Sequence, residues 1–143
     1  MKQDTIFEYD GKQYSIGSTD AMEQFHIFRR MLPVLNALGV GAMQLLMDGQ
    51  EASKVDKTQW VLMAMPALAE LSKMPQVDVD YVIFGSLKHI RRKEGDSWAS
   101  LIASQGGFMF ADLKMFCMLR LVMEFLRHNL GDFFDLLQAE VTS

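Results

Sequence analysis

Apolar and polar residues alternate over the opening stretch of the chain. Ile6, Glu8 and Asp10 interleave with Phe7, Tyr9 and Gly11, and Tyr14 and Ile16 resume the alternation after Asp10-Gly11. A period of two sends neighbouring side chains to opposite faces of a strand, and Asp-Gly supplies the positive φ of a two-residue turn. Thr5 to Ile16 therefore reads as a β-hairpin, ended by Gly17-Ser18. A lone hairpin is marginal in water, so it must pack on a helix or pair with another chain.

The period then lengthens to that of a helix. Asp20, with Glu23 three residues on, forms a capping-box signal, and Ala21, Phe25, Phe28, Leu32 and Leu35 recur along one face. Pro33 should kink or divide this helix. Gly39 and Gly41 loosen the chain before a short segment, Ala42 to Met47, and the polar stretch Asp48 to Lys57 reads as a loop. A second helix is expected from about Thr58 to Lys73, bent at Pro66 and stopped before Pro75. Asp78 or Asp80 can cap a third, with Val79, Ile83, Leu87 and Ile90 as its stripe, the basic run Lys88 to Lys93 at its end, and Gly95 closing it. Ser97 to Gln105 reads as a short helix around Trp98, Leu101 and Ile102, broken by Gly106-Gly107. The longest helix is expected from about Phe110 to Asn129, and Gly131 separates it from a last turn or two. The fold class that follows is mainly α. It is one domain over 1–143, with a short N-terminal β-hairpin at 5–17 and a helical bundle over 20–143.

Composition narrows the classes of function. Half of the residues are hydrophobic and 22% are charged, a globular balance. A net charge of −4 argues against general nucleic-acid binding, which needs a cationic surface. The longest apolar stretch, Trp60 to Ala69, is about half of the ~20 residues that cross a bilayer, so neither membrane nor signal-peptide features are expected. The single Cys117 cannot form an internal disulfide, which suits a reducing compartment. Twelve methionines serve either as adaptable core filler or as adaptable binding surface.

No constellation of side chains suggests catalysis. His26, His89 and His128 fall in different expected helices without the spacing of a zinc site, and read as solvated or capping residues. Cys117 sits between Met115-Phe116 and Met118-Leu119, and that apolar setting raises a thiol pKa and makes it inert. The glycines at 39, 41, 106 and 107 lack the lysine and the preceding strand of a phosphate loop. Cations at Lys88 to Lys93 would complement a helix C-terminus, and Asp132 and Asp135 read as a solvated face. No enzyme activity, cofactor or metal is expected. The feature left over is apolar surface on the last helix, whose polar strip of Lys114, Arg120, Glu124 and Arg127 is narrow. The candidate interaction surface is Met115, Met118, Leu119, Val122, Met123, Leu126, Phe133 and Phe134.

Several short motifs, taken in order, carry a family likeness. They are Phe7-Glu8-Tyr9-Asp10-Gly11-Lys12-Gln13-Tyr14-Ser15-Ile16-Gly17, then Ala21, Gln24-Phe25-His26, Arg29-Arg30 and Pro33-Val34-Leu35. Asp80-Tyr81-Val82-Ile83, Trp98, Gly107-Phe108-Met109-Phe110 with Asp112, and Asn129-Leu130 before Phe133-Phe134 follow. Together they resemble tail assembly chaperones of long-tailed phages and prophages over most of the chain. The resemblance implies a non-catalytic, ATP-independent protein of the host cytoplasm. It would bind the tape measure protein, keep it soluble, self-associate as a homo-oligomer, and leave as the tail tube protein polymerises. A small adaptor or regulatory protein that dimerises through its C-terminal helices is the alternative with the same composition.

Overall fold

The computed structural model describes residues 3–47 and 56–142, with side chains placed except at 40–47, 134 and 137–142. Two antiparallel hairpins and four helices make up the described residues. Strands β1 (Thr5–Tyr9) and β2 (Lys12–Ile16) come first, followed by helices α1 (Ala21–Met47), α2 (Lys57–Leu71) and α3 (Gln76–Leu87). Strands β3 (Ile90–Glu94) and β4 (Ser97–Ser100) then precede α4 (Met115–Thr142).

The first hairpin forms as its alternation requires. Tyr9 pairs with Lys12, and Asp10 and Gly11 both take positive φ, 50° and 76°, the twist that suits a two-residue turn. The second hairpin overturns the expected helical bundle: the fold is mixed, with a four-stranded antiparallel sheet in the order β1-β2-β3-β4. Ile90 to Glu94 is a strand rather than the end of a helix, and Ser97 to Ser100 is a strand rather than a short helix. The physical reason is a second period-two pattern. Ile90 and Arg92 turn inward while Arg91 and Lys93 face solvent, and Gly95, at φ 61°, opens the turn into β4. Pairing of Tyr14 with Arg92 and of Ile16 with Ile90 joins the two hairpins across the intervening helices.

Local capping sets the helix starts. The Asp56 carboxylate accepts from the Gln59 backbone N–H at 2.8 Å, while the Gln59 side chain accepts from the Asp56 N–H, a complete capping box. At α1 the box is half made. Asp20 accepts from the Glu23 N–H at 2.8 Å, but the Glu23 carboxylate turns to His89 and Lys88 instead. Helix α3 starts after Pro75 without a side-chain cap, and Asp78 pairs with Arg30 at 3.2 Å. Helix α1 runs through Pro33 and breaks at Gly39, whose φ of 80° lies outside helical space. Helix α4 starts at Met115, five residues later than expected, and continues through Gly131. Of the polar stretch read as a loop, residues 48–55 lie outside the described residues.

The core gathers the inward face of the sheet (Tyr14, Ile16, Ile90), Ile27, Met31, Val34 and Leu35 of α1, Val82 and Leu87 of α3, and Leu121, Val122, Phe125 and Leu126 of α4. The buried stripe of α1 is thus rotated from the one that spacing suggests. Phe25 and Leu32 stay 55% and 43% exposed, because Ile27 and Met31 take the inward positions.

Candidate functional site

Helix α2 is poorly enclosed. Its sequence is apolar over most of its circumference, yet of its residues only Trp60 is fully buried. Lys57 ties its start to the first hairpin by a 3.3 Å pair with Asp10, and its body packs on α1. Val61, Leu62 and Met65 remain exposed along its flank.

Between α1, α2 and α4 lies a cavity of about 180 Å³ with an almost wholly apolar lining. Met31, Val34 and Leu38 supply one wall, Ala64, Ala67 and Leu68 a second, and Leu119, Val122 and Met123 a third. Its upper wall holds an unusual pair. The guanidinium of Arg120 lies over the Trp60 ring, with Cζ 4.1 Å from the ring centre, and burial pushes Arg120 below its ordinary pKa. Arg120 has 3.8 Å contact with Glu124, which also binds Arg127.

The sequence-predicted interaction residues divide across this geometry. Met115, Leu119, Val122, Met123 and Leu126 all line the cavity, although Val122 and Leu126 are buried within it. Met118 packs against the main core instead. Phe133, 44% exposed, makes an edge-to-face contact with Phe28 at 5.0 Å near the far end of α4, and the side chain of Phe134 lies outside the described residues. The apolar flank of α2 was missed. Its signal is the run Trp60 to Ala69, too short to span a bilayer and too uniformly apolar to be an ordinary surface helix.

The groups that suggested chemistry are occupied with holding the fold. Cys117 is buried, its Sγ 3.8 Å from the Tyr14 hydroxyl, and burial raises its thiol pKa. His128 is not solvated: Thr5 Oγ1 and Ser18 Oγ meet its two ring nitrogens at 2.7 and 2.9 Å. His89 stacks on Phe125 and bonds Glu23 at 3.1 Å. Of the basic run only Lys88 ends a helix, as the C-cap of α3, and Arg91, Arg92 and Lys93 lie on strand β3. Arg92 points inward, stacks on Phe110 at 3.8 Å and bonds Asp112 and Glu94, while Lys88 pairs with Glu23. Many of the residues that carry the family likeness meet at such joints. Asn129 donates to the Gly17 carbonyl at 3.1 Å and accepts from the Thr19 N–H at 2.8 Å, and the Gln24 amide reaches it at 3.4 Å.

An apolar cavity beside a helix with an exposed apolar flank has the form of a groove that receives side chains of another protein. The sequence profile of the family described as phage tail assembly chaperone protein, TAC, matches residues 10–140, and the chain belongs to that family. No curated protein and no solved structure matches it. Among the described residues no helix is long and apolar enough to cross a membrane.

Proposed function

We propose that this tail assembly chaperone binds the tape measure protein in the host cytoplasm, without ATP, and keeps it soluble until tail tube subunits enclose it. The observation that supports this reading best is the apolar cavity between α1, α2 and α4, continuous with exposed Val61 and Met115. A long helical client presents apolar side chains turn after turn, and a methionine-lined groove can repack against many of them. Copies bound along one client add their modest affinities through multivalency, and self-association through the end of α4, where Phe133 and Leu136 are exposed, would strengthen the array.

The test is co-expression of a cognate tape measure protein with and without this chain, followed by purification of the complex across a salt series. The expected result is a client that is soluble only when co-expressed, in a complex that survives moderate salt, because apolar contacts are barely screened. A client equally soluble alone would remove the proposal.

A further inference from the structure

Helix α1 is apolar on two opposite faces. Ile27, Met31 and Val34 enter the core, whereas Met22, Phe25 and Leu32 stay in solvent. At about 100° per residue, Met22, Phe25, Arg29, Leu32 and Asn36 fall within about 80° of the circumference, centred opposite the core face. They follow one another at intervals of three, four, three and four residues, the spacing of a coiled-coil seam, in which a polar residue fixes the register. A seam that stays in solvent in the folded chain has the form of a helix face made for a second chain.

The end of α4 widens this face. Phe133 meets Phe28 edge to face, and both line one open cleft with Phe25 and Asp132. Met22, Phe25, Leu32, Phe133 and Leu136 keep between 43% and 69% of their surfaces exposed. At about 200 Å² for each residue that is roughly 550 Å² of apolar surface, the upper end of what a monomer leaves uncovered. Each partner of a stable pair buries about 800 Å², of which about 65% is apolar in homodimers. The patch therefore has the size of one half of a homodimer interface.

Charge selects the occupant. Arg29 lies on the seam, and Asp132 and Asp135 stand exposed on the adjoining turn of α4. Among the described residues, Arg29 bonds the His26 ring at 3.0 Å and meets no carboxylate, and neither aspartate meets a cation. A face with a cation on one helix and carboxylates on the other is complementary to itself after half a turn.

We propose that this face is one half of a two-fold interface between two copies of the chain, in which the α1 seams meet and Arg29 of each copy pairs with Asp132 and Asp135 of the other. This deepens the self-association named above and rests on it, adding α1 to the end of α4. Met31 and Val34, which line the cavity, lie on the opposite side of α1, so pairing leaves the cavity open to a client.

Sedimentation equilibrium of the full chain and its variants tests the proposal. The parent chain should pair. Phe25→Gln, Arg29→Glu and the double variant Asp132→Lys/Asp135→Lys should each weaken pairing at least about tenfold, with unchanged far-UV circular dichroism because all four sites are exposed. Mixing the Arg29→Glu protein with the double-lysine protein should restore pairing, since both halves of the mixed pair again join opposite charges. Variants that pair as tightly as the parent overturn this interface and leave self-association standing; a parent chain that stays monomeric overturns both. Mixing that restores nothing overturns the charge pairing across the two-fold. Lost client solubility with unchanged pairing would assign the face to the client and overturn the proposal. Should the double-lysine protein fail to fold, Phe25→Gln and Arg29→Glu still decide the matter.

Discussion

Filling the cavity should separate stability from function. Ala64 lines it from the middle of α2, and leucine there adds three carbons. A space of about 180 Å³ can hold them, since one of roughly 150 Å³ admits benzene. Burying three carbons at about 0.8 kcal/mol each gives roughly 2.4 kcal/mol. Rotamer restriction takes back about 0.5–1 kcal/mol, and helix propensity changes by only about 0.2 kcal/mol. Ala64→Leu should therefore stabilise the chain by about 1–2 kcal/mol. At this length that raises Tm by roughly 3–6 °C. If the cavity receives the tape measure protein as proposed, the same substitution occupies that space, and client solubility on co-expression should fall toward the level without chaperone. Ala69→Leu, on the exposed side of α2, is the control and should do neither. Thermal melts and soluble yield of the client are the two assays. A more stable Ala64→Leu protein that protects its client fully would refute the cavity as the contact. A less stable one would refute its capacity to be filled.

Two further outcomes test the joints of the fold. A Cβ at Gly17 would stand 2.9 Å from the His89 carbonyl oxygen, which also accepts the Gly17 N–H, so Gly17→Ala should cost about 1–3 kcal/mol in urea denaturation; an unchanged midpoint would refute that close approach. Burial pushes the Tyr14 hydroxyl up to about 12, from 10.0. A raised folded pKa means the neutral form is favoured by folding, so this contribution is complete below pH 10 and is lost as pH climbs toward 12. The loss is roughly 2–3 kcal/mol. Denaturation at pH 9 and pH 11.5 should show a steep alkaline fall that is shallower in Tyr14→Phe; equal falls would contradict the assignment.

The first hairpin was legible because its signal is local: Asp10-Gly11 fixes the turn and the alternation fixes both faces. The second was hidden by a coincidence of spacing. Val79, Ile83, Leu87 and Ile90 lie four, four and three residues apart, so a helical stripe runs without a break into a strand. Ile90 is buried under either reading, and what decides is its pairing with Ile16, seventy-odd positions away, which no window along the chain contains. The stripe of α1 was misjudged for a related reason. Phe25 and Leu32 share one helical face and Ile27, Met31 and Val34 another, and only the packing of α2, α3 and α4 selects between them. The candidate site was half legible. The α4 wall stood out as a broad apolar face, whereas its use depends on α2 lying opposite, which is tertiary information. The stacking of Arg120 on Trp60 had no trace in sequence, since a tryptophan and an arginine 60 positions apart suggest nothing until the fold brings them together.

The ties of His128 and Asn129 to Thr5, Ser18 and Gly17 span 110 to 123 positions, and they fix the order in which this chain can finish folding. On a ribosome adding about 5–20 residues per second, that span takes roughly 6–25 s to synthesise. The first hairpin can close in about 1–10 μs, but alone it is marginal. It must open and close many times before β3 arrives to extend it and α4 arrives to fasten it. Through those seconds Ile16, Ile27, Met31 and Leu35 have no lasting cover. The nascent chaperone thus passes through the condition of its proposed client, a chain with its apolar segments unshielded.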